Sequence, residues 1–393
     1  MSQPADRTDL RELDLELLRH EFPPPADGSV YLNYGSCGPK PRSVLRALAQ
    51  GWDALNLNPT RFTFLDSSPY VQARGAAAEL FAVKPESILL TRSTTEGLQL
   101  LLQSFLVESG DELITTDHEH GATRVICRYL EETRGIVVRQ HKLEPSAGSE
   151  ALCQGMISLV TERTRLVEIS EIDCYTGWRP DLSPLIESMK VAQIPVLVDG
   201  AHAPANGPCH PARYPLWVGS GHKWLGGPNG TGFAYVAPHL VSRLRPVWLG
   251  DRFYDYCDSD LARFESHGTS DVVRLLALAE ACRLYLKMGP VGSAARQASL
   301  VNHLRGKLTS LPDQTIRTPD VPSESTGMLT VTFAAERVKV PDLRQELWEK
   351  HRIWVQPDFF YGEPGHGLRV SCHPTTTEEE LDLLVAKLVT MIR

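Results

Sequence analysis

The stretch Ser220-Gly221-His222-Lys223-Trp224-Leu225-Gly226-Gly227-Pro228-Asn229-Gly230-Thr231-Gly232 decides the fold. Leu216-Trp217-Val218 feeds into it, and Gly219-Ser220-Gly221 turns the chain sharply, so an apolar buried strand ends just before an amine. Taken alone, a lysine between a histidine and a tryptophan reads as a snorkelling surface residue. The ends of the neighbouring predicted strands argue for more.

Ile194-Pro195-Val196-Leu197-Val198 is a β-rich run that stops on Asp199, followed by Gly200-Ala201-His202. A carboxylate at the carboxyl end of a parallel strand faces a bound ligand. Ser87-Ile88-Leu89-Leu90 predicts another short buried strand, followed by Thr91-Arg92-Ser93-Thr94-Thr95-Glu96-Gly97 and the apolar run Leu98 to Leu102. Hydroxyl residues there open a helix whose free N–H groups suit a phosphate. A third strand, Glu112 to Thr116, ends at Asp117-His118-Glu119-His120 and brings an imidazole to the same edge. Phosphate site, aromatic platform, acid and amine together meet the needs of pyridoxal 5'-phosphate: a Schiff-base lysine, an acid for the ring nitrogen, and phosphate anchors.

On these residues the sequence resembles fold-type I pyridoxal phosphate enzymes of the class V aminotransferase and cysteine desulfurase family, and within it the isopenicillin N epimerase-like branch. The likeness runs from Tyr31-Leu32-Asn33-Tyr34-Gly35-Ser36 to Leu368-Arg369-Val370-Ser371. The resemblance implies an α/β fold with a mostly parallel, seven-stranded type of sheet in a large domain and a smaller α+β C-terminal domain. It makes Lys223 the Schiff-base lysine and Asp199 the partner of the pyridine nitrogen. It matches Thr94, Thr95, Ser220 and His222 to phosphate-binding positions, His120 to the residue stacked on the ring, and His202 to a second ring contact. Gly268 and Thr269 match a pair that reaches the phosphate from a neighbouring subunit, which implies a homodimer with shared sites. Arg369 matches the substrate carboxylate clamp, suited to a guanidinium fork, and Asn33 is expected near the same carboxylate. One position departs from the pattern. Relatives often carry an Asn after the strand that here is Leu166 to Ser170, whereas alignment places Cys174 there, with Asp173 and Tyr175 as alternative contacts for the cofactor's phenolic oxygen.

Composition is that of an ordinary soluble globular protein: 393 residues, 42% hydrophobic and 22% charged. A net charge of -8 argues against nucleic acid or an anionic membrane as the main partner; the resemblance implies a small amino-acid substrate. No apolar run reaches membrane-spanning length, and charged residues from Asp6 through Glu16 stand where a signal-peptide core would be, so a cytoplasmic location is expected. Eight cysteines without a Cys-x-x-Cys pair suggest neither zinc nor a disulfide scaffold. The cluster Asp117-His118-Glu119-His120 has no further ligand at persuasive spacing, so no metal is assigned.

The expected division is a large cofactor domain over residues 30–260, with residues 1–29 and 261–393 forming the small domain and its linking helix. Helical pattern runs from Asp271 to about Leu311. Strands follow at Met328 to Phe333, Ile353 to Val355 and Leu368 to Ser371, and Thr377 caps a last helix bearing Leu381, Leu384, Val385, Leu388 and Ile392.

The Gly-rich aromatic segment Asp358 to Gly367 directly precedes Arg369 and is expected to border the substrate pocket. Cysteine desulfurases of this group hold a nucleophilic cysteine ahead of the carboxylate-binding arginine. Residues 352–368 contain none, and Cys372 follows Arg369. That disfavours a persulfide-forming desulfurase. The first expectation, resting on resemblance, is a C–S lyase performing β-elimination on an S-substituted cysteine. The second is an amino-acid epimerase, which needs another acid-base group across the α-carbon, with Tyr34, Cys37 and Tyr361 as candidates. Aminotransfer or decarboxylating deamination comes third, and a non-catalytic binding protein on the same fold last. Arg61, in Asn58-Pro59-Thr60-Arg61-Phe62, either reads a second acidic group or solvates its loop.

Overall fold

The computed structural model describes residues 12–251, 253–265, 268–334, 340–360 and 363–392. Among the described residues twelve strands form two sheets: β1 (Val30–Leu32), β2 (Ile88–Thr91), β3 (Glu112–Thr116), β4 (Val137–His141), β5 (Thr164–Ser170), β6 (Val196–Gly200), β7 (Leu216–Ser220), β8 (Gly232–Val236), β9 (Gln314–Ile316), β10 (Met328–Phe333), β11 (Ile353–Phe360) and β12 (Glu363–Ser371). The large sheet has seven strands in the order β2-β8-β7-β6-β5-β3-β4. Neighbours from β7 to β4 pair in parallel, and β8 alone runs antiparallel between β2 and β7. This is the mostly parallel sheet that the sequence predicts.

Burial explains the sequence pattern. The interior strands β3, β6, β7 and β8 and the edge strand β2 are buried at every residue, so apolar residues run together in them without a period-two alternation. Edge strand β4, Val-Val-Arg-Gln-His, is half-exposed and correspondingly polar. Five-stranded pairing in the order β1-β11-β12-β10-β9 builds the small sheet, parallel only at β1/β11.

The chain crosses between the two cores at different points from those expected. Val30–Leu32, expected to open the large domain, pairs in register with Ile353, Trp354 and Val355, and buries Val30 and Leu32 in the small core. Conversely, the helix Leu15–Glu21, expected in the small domain, buries Leu18 in the large core. The helical stretch after Asp271 is two helices, Val273–Met288 and Pro290–Leu308. Gly289, at φ 92°, takes a conformation that L side chains rarely adopt, and Pro290 then lacks the N–H that would continue the first helix. The first of these helices packs Leu275, Leu278 and Cys282 into the large core; the second packs Leu300, Leu304 and Leu308 into the small one. Thr377 caps the final helix through a capping box with Glu380. No helix among the described residues is long and apolar enough to cross a membrane.

Candidate active site

Parallel strands deliver their carboxyl ends to one edge of the large sheet. Strand β6 ends on Asp199-Gly200, β7 on Ser220, β3 leads into Asp117 to His120, and β5 into Glu171 to Cys174. Beside them, Ser93 caps the helix Thr94–Phe105, its hydroxyl accepting from the Glu96 N–H at 3.1 Å. An inner cavity of about 260 Å³ lies at this edge. Of the residues expected to hold a cofactor, it is lined by Thr94, Thr95, His120, Asp199, His202, Ser220, His222 and Lys223, together with Cys174. An outer cleft of about 530 Å³ adjoins it; His120, Cys174, His202 and Lys223 line both, and Arg369 lines the outer one.

The amine has a defined setting. Lys223 Nζ lies 3.1 Å from His202 Nε2, and the other ring nitrogen of His202 accepts from Trp224 Nε1 at 3.5 Å. Burial lowers the Lys223 pKa to about 8; Asp199 opposes that shift and the Arg369 guanidinium adds to it. Burial also pushes His202 well below its usual value, followed by repulsion from Lys223 and Arg369. His120 is lowered to about 4 by enclosure and then by Lys223, Arg124 and Arg369, although its outer edge is exposed. As N-cap of the helix Gly121–Arg134 it accepts the Ala122 N–H through Nδ1 at 3.1 Å, which a protonated ring nitrogen cannot do. Burial thus favours the neutral form of both imidazoles.

Beneath the cavity the carboxylates are buried. Asp199 accepts the Ala201 N–H at 2.8 Å, and burial raises its pKa against the pull of that bond and of Lys223. Glu119, 1% exposed, accepts from Thr116 Oγ1 at 2.7 Å and from Ser170 Oγ at 2.6 Å, and burial pushes it up to about 7. Glu168 is raised by burial and by Glu119. The imidazole of His118 turns away to Asp173 Oδ2 at 3.1 Å, so the residues of the Asp117 to His120 run face different partners.

Several expected residues line neither cavity of their own chain. Gly268 and Thr269, expected to reach the phosphate of a neighbouring subunit, are exposed. Asn33 lines neither and stands one step behind, donating to Gln356 Oε1 at 3.2 Å and accepting from Ser36 Oγ at 2.9 Å. Arg369 reaches Ser36 Oγ at 3.4 Å and donates to the Cys174 carbonyl at 2.6 Å. Asp173 is committed to His118 and Thr176 and lines neither cavity, whereas Cys174 lines both and Tyr175 the outer one. Of the candidates for a second base, Tyr34 is buried, bonded to Thr375 Oγ1 at 3.0 Å and stacked on His373. Cys37 faces Asn229 Oδ1 at 3.2 Å and Lys40 Nζ at 3.5 Å, and Tyr361 lies outside the described residues. Arg61 is exposed and lines neither cavity. Arg124 and Gln356 line the outer cleft without having been singled out in the sequence. Arg124 follows His120 at i+4 on one helix face, which is the signal that would have found it.

The pyridoxal phosphate that the fold implies is tested by one orphan. Thr94 Oγ1 is buried, lines the inner cavity at a helix N-terminus, and has no hydrogen-bond partner among the described residues. Such a hydroxyl calls for an acceptor, and the free N–H groups beside it favour an anionic one. The residues fit the group.

The aminotransferase class-V family model matches residues 30–384, and the chain belongs to that family. The isopenicillin N epimerase of Streptomyces clavuligerus is 31% identical over 379 residues, covering 90% of this chain and 93% of the relative. A cysteine desulfurase of Pectobacterium atrosepticum is 28% identical over 416 residues, covering 99% and 98%. Among solved structures, the C-DES mutant with glycine covalently linked to its PLP cofactor matches with a TM-score of 0.85 at 25% identity, covering 95% of this chain and 99% of that one. The cystine C–S lyase C-DES with its product cysteine persulfide matches at 0.84 and 25%, covering 93% and 98%.

Proposed function

We propose that this chain is a pyridoxal phosphate-dependent C–S lyase that performs β-elimination on an S-substituted cysteine. Bound pyridoxal phosphate supplies an electron sink that acidifies the α-proton of an attached amino acid. Lys223 is the residue that carries the cofactor and, once released, the base that takes the α-proton. Its low pKa of about 8 leaves a usable fraction neutral near pH 7. Asp199 is the acid for the ring nitrogen, His120 the residue against the ring face, and His202 a second contact that also holds the Lys223 amine. Thr94, Thr95, Ser220 and His222 are the phosphate anchors. Arg369 receives the substrate carboxylate, with Asn33 and Gln356 orienting Ser36 beside it.

The observation that favours elimination over epimerisation is that, of the candidates for a second base among the described residues, Tyr34 and Cys37 line neither cavity. Elimination needs one base. The thiol that does line them, Cys174, is pushed far up by burial and remains a protonated, poor nucleophile. This supports a lyase over a sulfur-accepting desulfurase. Similarity to C-DES agrees. Epimerisation is kept as the second reading because the 31% identical relative is an epimerase. Incubating holoenzyme with S-substituted cysteines decides between them. Equimolar pyruvate and thiol support elimination, and exchange of the α-proton for deuterium without pyruvate replaces it with epimerisation.

The active form is proposed to be a homodimer. Leu57, Phe64, Leu65 and Val71 are exposed. Tyr70, adjacent to Val71 in sequence, meets Ser270 at 3.5 Å between hydroxyl oxygens, which places the exposed Gly268-Thr269 step beside this apolar surface. Sedimentation of holoenzyme at twice the chain mass is the expected result.

A further inference from the structure

Arg124 lies one helical turn beyond His120, and its N–H donates to the His120 carbonyl at 3.3 Å. Residues so spaced share a helix face, and both line the outer cleft. The same cleft is lined by Lys223 and Arg369, while no aspartate or glutamate is among its described lining residues. Its two histidines, His120 and His202, are held neutral by burial. Arg369 and Arg124 flank a two-residue step: Arg369 holds the Cys174 carbonyl at 2.6 Å, and Arg124 hydrogen-bonds the Tyr175 hydroxyl. Arg124 does not line the inner cavity, so the phosphate expected at Thr94 is not its partner.

One α-carboxylate occupies one guanidinium fork. A second guanidinium across the Cys174–Tyr175 step therefore presents a site for a second anion on the same substrate. We propose that Arg124 is a specificity-determining residue that receives a carboxylate at the end of the substrate side chain, making acidic amino acids and acidic S-substituted cysteines the preferred class. This rests on the assignment of Arg369 to the α-carboxylate and holds whichever reaction the loss of the α-proton leads to. Arg61, expected as an alternative reader of a second acid, is not needed.

Matched pairs test it: glutamate against glutamine, and S-carboxymethylcysteine against its amide, titrated into holoenzyme by visible absorbance and by calorimetry. A charge-assisted bond predicts that the acidic member binds about ten- to hundredfold tighter in wild type. Arg124→Gln brings the ratio near one, and Arg124→Lys restores part of it. An unchanged visible band in the unliganded variants shows that each is folded and loaded. A ratio near one in wild type, or an undiminished ratio in Arg124→Gln, overturns the inference. Acidic preference that depends on Arg124 without pyruvate release sinks the elimination reading alone, whereas pyruvate release without acidic preference sinks this inference alone.

Discussion

Capture of the cofactor by Lys223 is expected to track the ionisation of its amine. With a pKa near 8 instead of the ordinary 10.5, about a tenth of the amine is neutral at pH 7, against about three parts in ten thousand for a free lysine, roughly a 300-fold advantage. The rate of Schiff-base formation, measured by visible absorbance after mixing cofactor-free protein with pyridoxal phosphate, should therefore rise tenfold per pH unit below 8 and level off above it. Two charge variants give the sign. Asp199 favours the charged amine, so Asp199→Asn should move the midpoint down; Arg369 disfavours it, so Arg369→Gln should move it up. A unit charge several ångströms away at an effective dielectric near 20 is worth about 1–2 kcal/mol, so each shift should be about one pH unit. Borohydride reduction and mass spectrometry of the labelled peptide confirm that the trapped residue is Lys223. A midpoint near 10 in wild type, or shifts of the same sign in both variants, would refute the account of the site's electrostatics.

Two further outcomes are expected from buried contacts. Thr94→Val keeps the shape and removes the orphaned hydroxyl, so cofactor affinity should fall about ten- to hundredfold by equilibrium dialysis, with the urea midpoint unmoved; equal affinity removes Thr94 from the phosphate site. Gly200→Ala places a methyl 2.1 Å from Trp217 Nε1, whose N–H donates to the buried Glu171 Oε2 at 2.9 Å. The tryptophan must move and leave that carboxylate short of a partner, so unfolding in urea should show a loss of about 3 kcal/mol or more; an unchanged midpoint would show that the strand accommodates the methyl.

The candidate site was legible where its residues stand at strand ends. Asp199, Ser220 and the helix opening at Thr94 each stand where an apolar run stops, and a run's end is visible in one sequence. Contacts made across the fold were not visible. Val30–Leu32 reads as the first strand of whichever sheet is nearest in sequence, yet its partner lies more than three hundred residues away at β11. Cys37 and Tyr34 were named as candidate bases; only the turn after β1 decides that Tyr34 stacks on His373 and that Cys37 faces Lys40. Gln356 was missed because, without a fold, nothing distinguishes it from a surface residue of a strand, and Arg124 offered only its i+4 spacing from His120 as a signal.

The neutral form of the Lys223 amine is favoured by a tautomer as well as by burial. Trp224 Nε1 can only donate, so the His202 nitrogen it faces must carry the lone pair. The remaining hydrogen of a neutral His202 then sits on Nε2, 3.1 Å from Lys223 Nζ. A donor aimed at an amine stabilises its neutral form, because an ammonium has no lone pair to accept with. Protonating Lys223 would thus oblige His202 to switch its hydrogen toward Trp224 and set two donors against each other. The indole adjacent to the lysine in sequence accordingly acts on it through a histidine twenty-one residues earlier, in the direction in which burial and Arg369 already press. Asp199 is the largest of the groups that pull the other way, and being itself raised by burial it pulls with less than a full exposed charge's preference for ionisation. The balance leaves an amine that is neutral often enough to act as a base while the guanidinium of Arg369, which cannot lose its proton, keeps the cleft attractive to a carboxylate.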